Sequence, residues 1–166
     1  GYTDVPEINY GFGISLGWKG FDASLFMQGV GNVTRIIGGD ALYGASDNIE
    51  RLGQIYADVA EKRWTTSNPN ATYPRLSMSK VENNLQPSTY WQRNMSFLRL
   101  KNVEIGYTLP KHIYKRLGMS SIRVYAQGVN LLTFSKFKLW DPELDSNYGN
   151  IYPQMRTITL GLNLNF

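Results

Sequence analysis

The chain has no cysteine and a single histidine, His112. Without cysteine there is neither a disulfide framework nor a thiolate metal site. One histidine excludes zinc sites built on histidine pairs, and it is poorly placed for a histidine-based catalytic triad. Serine, threonine and tyrosine are plentiful, but no histidine or cysteine partner is placed to activate them. The sequence therefore predicts a protein that is not an enzyme.

Long hydrophobic runs are also missing. No apolar stretch approaches the roughly 18 residues that indicate a membrane-spanning helix, and there is no signal peptide. This does not exclude a membrane protein, because β-barrels cross the bilayer with short alternating strands. The chain begins abruptly and without methionine, so we expect it to be a piece of a longer protein.

Acidic residues are scarce in one long stretch. Between Arg93 and Lys138 there are nine lysines and arginines but only one acid, Glu104, in a chain of net charge +4. Such a stretch fits nucleic acid, phosphate or anionic lipid, but it is more often a solvated face. No RNA-binding signature, helix-turn-helix pattern or zinc-finger spacing is present, so we expect no nucleic-acid partner.

The main feature of the sequence is the alternation of apolar and polar residues. The last ten residues, TITLGLNLNF, put one apolar set on a single face: Ile158, Leu160, Leu162, Leu164 and Phe166. Similar alternation occurs in INYGFGISLGW, FDASLFMQGV, SFLRLKNVEIGYTLP and SIRVYAQGVNLL, which predicts five strands in all. In the third of these, Arg99 and Lys101 fall on the apolar face. This indicates either a bulge near Asn102 or a charged end standing above the apolar zone.

The connections between these strands alternate in length. Lys19-Gly20 makes a two-residue turn, and KHIYKRLGMS after Pro110 fits a short helical turn. The other two connections, about 31–95 and 133–155, are long, and the first has helical spacing from Ile49 to Val59. Short turns on one rim and long extracellular loops on the other are typical of an outer-membrane β-barrel. A β-sandwich with apolar inner faces is the alternative, although its exterior normally carries more lysine and glutamate.

Several motifs resemble the SusC/RagA family of TonB-linked outer-membrane transporters, in the right order and at plausible spacing. They are FLRLKNVEIGYTLP, RVYAQGVNLLTF, WDPEL and the closing GLNLNF, with RWTTSNPNATYPRL, YWQRNMSFLRL and YGFGISLGWKGFDASLFMQGV upstream. The resemblance covers nearly the whole chain. It implies that residues 1–166 are the C-terminal segment of an all-β barrel of about 22 transmembrane strands in the bacterial outer membrane.

The same resemblance implies a function and partners. The whole protein would import oligosaccharides or peptides, with a SusD-like lid lipoprotein over its mouth. The TonB complex would supply energy through an N-terminal part that is not present here. The terminal strand resembles the assembly signal read by the outer-membrane insertion machinery, carried by Leu160, Leu162, Leu164 and Phe166. A soluble extracellular β-sandwich that binds glycans through its aromatic residues is the second hypothesis.

Aromatic residues concentrate in the predicted extracellular loops. The predicted contacts for substrate or lid are Trp64, Tyr90, Trp91, Trp140, Asp141, Tyr148 and Tyr152. The alternative is that these rings pack the loops together. The segment Asp141–Asn147 also alternates oxygen ligands as a calcium loop does, but the glycine and the final glutamate of an EF-hand are missing. We therefore expect no cofactor, and a turn initiated by Asp141-Pro142.

Overall fold

A computed structural model describes residues 1–43, 55–77, 79, 81–116 and 118–166. Within these ranges no helix is long and apolar enough to cross a membrane. The strands are β1 (Ile8–Trp18), β2 (Phe21–Gly31), β3 (Thr34–Ile36), β4 (Gln92–Asn94), β5 (Phe97–Thr108), β6 (Ser121–Ser135) and β7 (Thr157–Asn165). The helices are α1 (Asp40–Tyr43), α2 (Ala57–Lys62), α3 (Glu82–Leu85) and α4 (Lys111–Arg116).

The five predicted strands form one antiparallel sheet in the order β1-β2-β5-β6-β7, which confirms the strand prediction. Their register aligns the apolar positions of neighbouring strands into continuous rows. One row runs from Trp18 through Phe21, Tyr107 and Val124 to Leu162, one residue from each strand. The apolar face is uncovered in this chain, since Trp18 is 70% exposed.

A β-bulge in β5 explains why Arg99 and Lys101 are in phase with the apolar residues of that strand. Around Lys101 the pairing of β5 shifts on both sides, toward β2 and toward β6. Because Lys101 is an extra residue, Leu100 shares the apolar face with Val103, and Arg99 lies on the polar face. The predicted bulge is confirmed at the residue next to Asn102.

The turns at one end of the sheet are short, as predicted. Lys19 and Gly20 both have positive φ, 47° and 88°. A type I′ turn requires positive φ at both central residues, and its twist matches that of the flanking strands. The second connection holds α4, and Gly118 follows it with a φ of 73°. We call this rim the turn end of the sheet.

At the opposite end the described residues of the two long connections, 32–96 and 136–156, pack into one unit that we call the loop layer. Its buried core contains Val33, Ile37, Leu42, Val59, Tyr73, Trp91, Met95 and Phe137. Phe137 comes from the second connection and the others come from the first, so a shared core joins the two. β3 and β4 pair within this layer as a separate two-stranded sheet.

The predicted helix in the first long connection is only partly confirmed. Ile49 and the rest of 44–54 lie outside the described residues. Helix α2 begins at Ala57, and Tyr56 is its N-cap with an extended backbone, φ −63° and ψ 140°. The helical prediction was therefore wrong at Tyr56, whose ring packs beside Trp140 at a centroid distance of 5.8 Å. Tertiary packing fixes this residue outside the helix, while Val59 is buried as its helical spacing predicts.

Candidate functional site

The loop layer is fastened to the sheet by a buried arginine beside the bulge. Arg99 is 2% exposed and its guanidinium contacts the Asp141 carboxylate. Its Nε lies 3.1 Å from Glu143 Oε2, and Lys101 Nζ donates to Glu143 Oε1 at 2.6 Å. The bulge thus places two cations under the acidic WDPEL motif. Sequence reasoning missed this pairing, although the opposite charges of RLK and DPE were a signal for it.

The three carboxylates that suggested calcium all contact protein cations. Asp141 and Glu143 contact Arg99, and Asp145 lies 2.5 Å from Arg35. Asp141 Oδ1 also accepts the backbone N–H of Glu143 at 3.0 Å, which forms the turn predicted at this position. Among the described residues no group of three or more histidine or acidic side chains is arranged to hold a metal ion. The absence of calcium stays a prediction.

An open pocket of about 640 Å³ lies on the surface of the loop layer. Three of the predicted contact residues line it, of which Trp64 and Tyr90 are 38% and 46% exposed and Trp91 is buried. The Tyr90 hydroxyl donates to the backbone oxygen of Thr72 at 2.5 Å, which fixes its ring. The polar lining includes Arg75, Asn83, Asn84 and Gln86. Aromatic faces beside a few polar groups are the usual composition of a small-ligand site.

Trp91 supports this pocket from below and has little free surface. It is 2% exposed, and its indole N–H donates to the backbone oxygen of Asn84 at 2.8 Å. Its ring packs edge-on against Tyr43 and Tyr90, at centroid distances of 5.1 and 5.0 Å. Of the two roles considered for these aromatic residues, packing the loops together is the one that matches the surroundings of Trp91 in this chain.

The other predicted aromatic contacts lie in the second long connection and do not line that pocket. Trp140 packs edge-on against Phe137 at a centroid distance of 4.8 Å. Tyr148 and Tyr152 are 56% and 76% exposed. The structure therefore brings Trp64, Tyr90 and Trp91 to one pocket, holds Asp141 on Arg99, and leaves the two tyrosines on open surface.

A phenol–carboxylate hydrogen bond ties α2 to the wall of the pocket. The Tyr73 hydroxyl donates to Asp58 Oδ2 at 2.8 Å, and Asp58 also contacts Lys62. Burial and the bond to Asp58 raise the pKa of Tyr73 to about 12. The hydrogen bonds from Lys62 and Tyr73 lower the pKa of Asp58. At physiological pH the phenol therefore keeps its proton and the carboxylate is ionised, which preserves the bond.

The polar face of the sheet carries a charged network near the turn end. Arg123 on β6 contacts Asp22 on β2 and Glu104 on β5, with Nη2 2.5 Å from Glu104 Oε1. The guanidinium crosses over Gly106, where any Cβ atom would collide with it. Glycine at this position lets one arginine join three strands.

The chain is similar in sequence to TonB-dependent receptors over almost its whole length. It is 34% identical to TonB-dependent receptor P26 and 31% identical to TonB-dependent receptor P3, both of Formosa agariphila, over 99% and 98% of the chain. It is also 40% identical to TonB-dependent receptor SusC of Bacteroides thetaiotaomicron over 48% of the chain. The alignments cover 17%, 16% and 8% of those relatives.

Solved structures show the same relationship. The RagAB peptide transporter matches 99% of the chain with a TM-score of 0.77 and 29% identity, and the match covers 18% of that structure's chain. The chain belongs to the SusC/RagA family of TonB-dependent receptors. No protein-family profile matches it.

Because the chain belongs to the SusC/RagA family, the environment of each face of the sheet can be assigned. The sheet is a segment of an outer-membrane β-barrel, which confirms the predicted all-β fold and location. In such barrels the apolar face meets lipid and the polar face lines the interior. Within the described chain one edge of β1 and one edge of β7 are unpaired, and an open edge cannot sit in lipid. The β-sandwich alternative is wrong, because the five long strands form one sheet and no second sheet among the described residues packs on their exposed apolar face.

Proposed function

We propose that this chain is part of a TonB-dependent transporter that imports oligosaccharides or peptides across the outer membrane. The family supports transport, and the similar RagAB structure is described as that of a peptide importer. The observation within the chain that carries the proposal is the open pocket with Trp64 and Tyr90 on its wall. The chain spans less than a fifth of its relatives' length, so the activity belongs to the whole protein.

The proposed partners meet different parts of that protein. A SusD-like lid lipoprotein would cover the loop layer, where Tyr148 and Tyr152 expose their rings. Exposed tyrosine and tryptophan rings are enriched in binding interfaces because they supply large contact areas at low entropic cost. The TonB complex would act through a part of the protein outside this chain.

Substituting Trp64 and Tyr90 together by alanine should weaken substrate capture, because the two exposed rings of the pocket wall are lost. The expected loss is about tenfold in apparent affinity, equivalent to about 1.4 kcal/mol. First, a strain lacking the transporter is supplied with single oligosaccharides and peptides, to identify the nutrient whose uptake depends on the transporter. Uptake of that nutrient is then measured for the double variant. A matched control is Tyr2→Ala, which removes an aromatic ring that is 47% exposed outside the pocket.

Unchanged half-saturation in the double variant, at normal surface abundance, would remove the pocket from the proposal. Normal growth of the strain lacking the transporter on every nutrient tested would contradict transport itself. The two results are independent, so a failed pocket does not imply a failed transporter.

We also propose that the loop layer faces outward and the turn end faces the periplasm. A cysteine at Tyr152 should then react with a membrane-impermeant maleimide on intact cells, because this side chain is 76% exposed. A cysteine at Lys115, an exposed position in α4, should react only after the outer membrane is opened. The chain contains no native cysteine, and the unsubstituted protein serves as background. Labelling at Lys115 on intact cells would reverse the orientation.

A further inference from the structure

A second pocket, of about 260 Å³, has more cations than anions in its lining. Among the described residues around it are four positively charged side chains and one carboxylate: Lys62, Arg93, Lys136, Lys138 and Asp58. Asp58 already accepts hydrogen bonds from Lys62 and Tyr73. The pocket therefore carries a net positive charge, and Lys62, Lys136 and Lys138 are exposed.

The register of β6 places this pocket at the edge of the lipid-facing wall. Leu132 and Phe134 belong to the apolar row and are 50% and 55% exposed. The alternation continues past the end of the strand, because Lys136 and Lys138 are exposed and Phe137 between them is 6% exposed in the loop core. The two lysines thus extend the lipid-facing row beyond its apolar part. Lysines at such a position keep their stems on apolar surface and their ammonium groups at the level of the headgroups.

We propose that this pocket binds a phosphate group of a lipid in the outer leaflet. Phosphate oxygens accept charge-assisted hydrogen bonds from several cationic donors at once. Basic pockets at a membrane surface are the usual sites for anionic headgroups. A soluble substrate fits this position less well, because Lys136 and Lys138 continue the lipid-facing row and not the polar face that lines the barrel. The proposal rests on the outward orientation of the loop layer.

The test uses the intact transporter in detergent, with diphosphoryl lipid A as the probe and monophosphoryl lipid A for comparison. The wild type should bind the diphosphoryl form more tightly. Lys136→Glu combined with Lys138→Glu should weaken binding at least about tenfold, since two attractive charges become repulsive. Lys111→Glu combined with Lys115→Glu makes the same charge change at the turn end and should bind like the wild type. Binding is measured on the heat-modifiable, assembled form, so a misfolded variant is not counted.

Equal binding by the two double variants would overturn the site. Binding of inorganic phosphate or of a soluble uronate oligosaccharide as tightly as diphosphoryl lipid A would overturn the assignment to lipid. The cysteine labels separate this failure from a failed orientation. If Tyr152→Cys reacts from outside while Lys136→Glu/Lys138→Glu binds lipid A normally, only the lipid site is lost.

Discussion

Replacing Arg99 by methionine should weaken the attachment of the second long connection by about 3–5 kcal/mol, the usual cost of removing one partner from a buried ion pair. The Arg99 side chain is 2% exposed, and the side chains of Asp141 and Glu143 are 12% and 24% exposed. Without the guanidinium, Asp141 loses its cation and Glu143 retains only Lys101. Methionine keeps an unbranched apolar stem, so the charge is the main change. Hydrogen exchange of residues 136–156 in the intact protein measures this local opening.

Two further variants make the Arg99 result specific. Lys62→Met removes an exposed i,i+4 pair with Asp58, which should cost only about 0.3–0.5 kcal/mol. Adding Asp141→Asn to Arg99→Met should restore part of the protection, because Asp141 then carries no unpaired charge while Glu143 keeps its pair with Lys101. Equal protection in Arg99→Met and Lys62→Met would show that the buried pair does not hold the loop layer.

The sheet was predictable because each strand meets two environments, and this imposes a period of two on its sequence. β7 illustrates this, since Leu160 and Leu162 alternate with Thr159 and Gly161 from end to end. Even the bulge left a signal. Arg99 and Lys101 are in phase with the apolar residues that follow them, and only an extra residue in the strand corrects that phase.

The loop layer was not predictable to the same degree. Trp64 and Trp91 are both tryptophans in one loop, yet the first is 38% exposed and the second 2% exposed. Burial in an irregular segment depends on contacts between positions far apart in the chain, and no local period records those contacts. The hydrogen bond between Arg99 and Asp141 joins residues 42 positions apart, so no local period of the sequence records it either.

A substitution of Phe166, the residue after β7, tests the proposed assembly signal. Phe166 is 84% exposed and continues the apolar row after Leu164. Phe166→Asp should lower the amount of folded protein in purified outer membranes, because it introduces a charge where a hydrophobic contact is proposed. Phe166→Tyr keeps the ring and should be tolerated. Wild-type levels for Phe166→Asp would remove this residue from the signal.

The face assignment of the barrel is tested most directly by two adjacent arginine substitutions in β7. Leu160 is 81% exposed and pairs with Ala126 in the lipid-facing row, whereas Thr159 pairs with Gln127 on the polar face. An arginine on the lipid face near the bilayer midplane costs about 2–4 kcal/mol, while one facing the interior costs little. Asn163 is a poorer control than Thr159 because it pairs with Arg123, which would repel an introduced arginine.

The deciding measurement is the amount of heat-modifiable, folded protein in purified outer membranes for Leu160→Arg and Thr159→Arg. A lipid-facing Leu160 and an interior-facing Thr159 predict a strong loss for the first variant and near wild-type levels for the second. Equal levels of the two variants, whether both normal or both lost, would contradict the assignment of the apolar face to lipid.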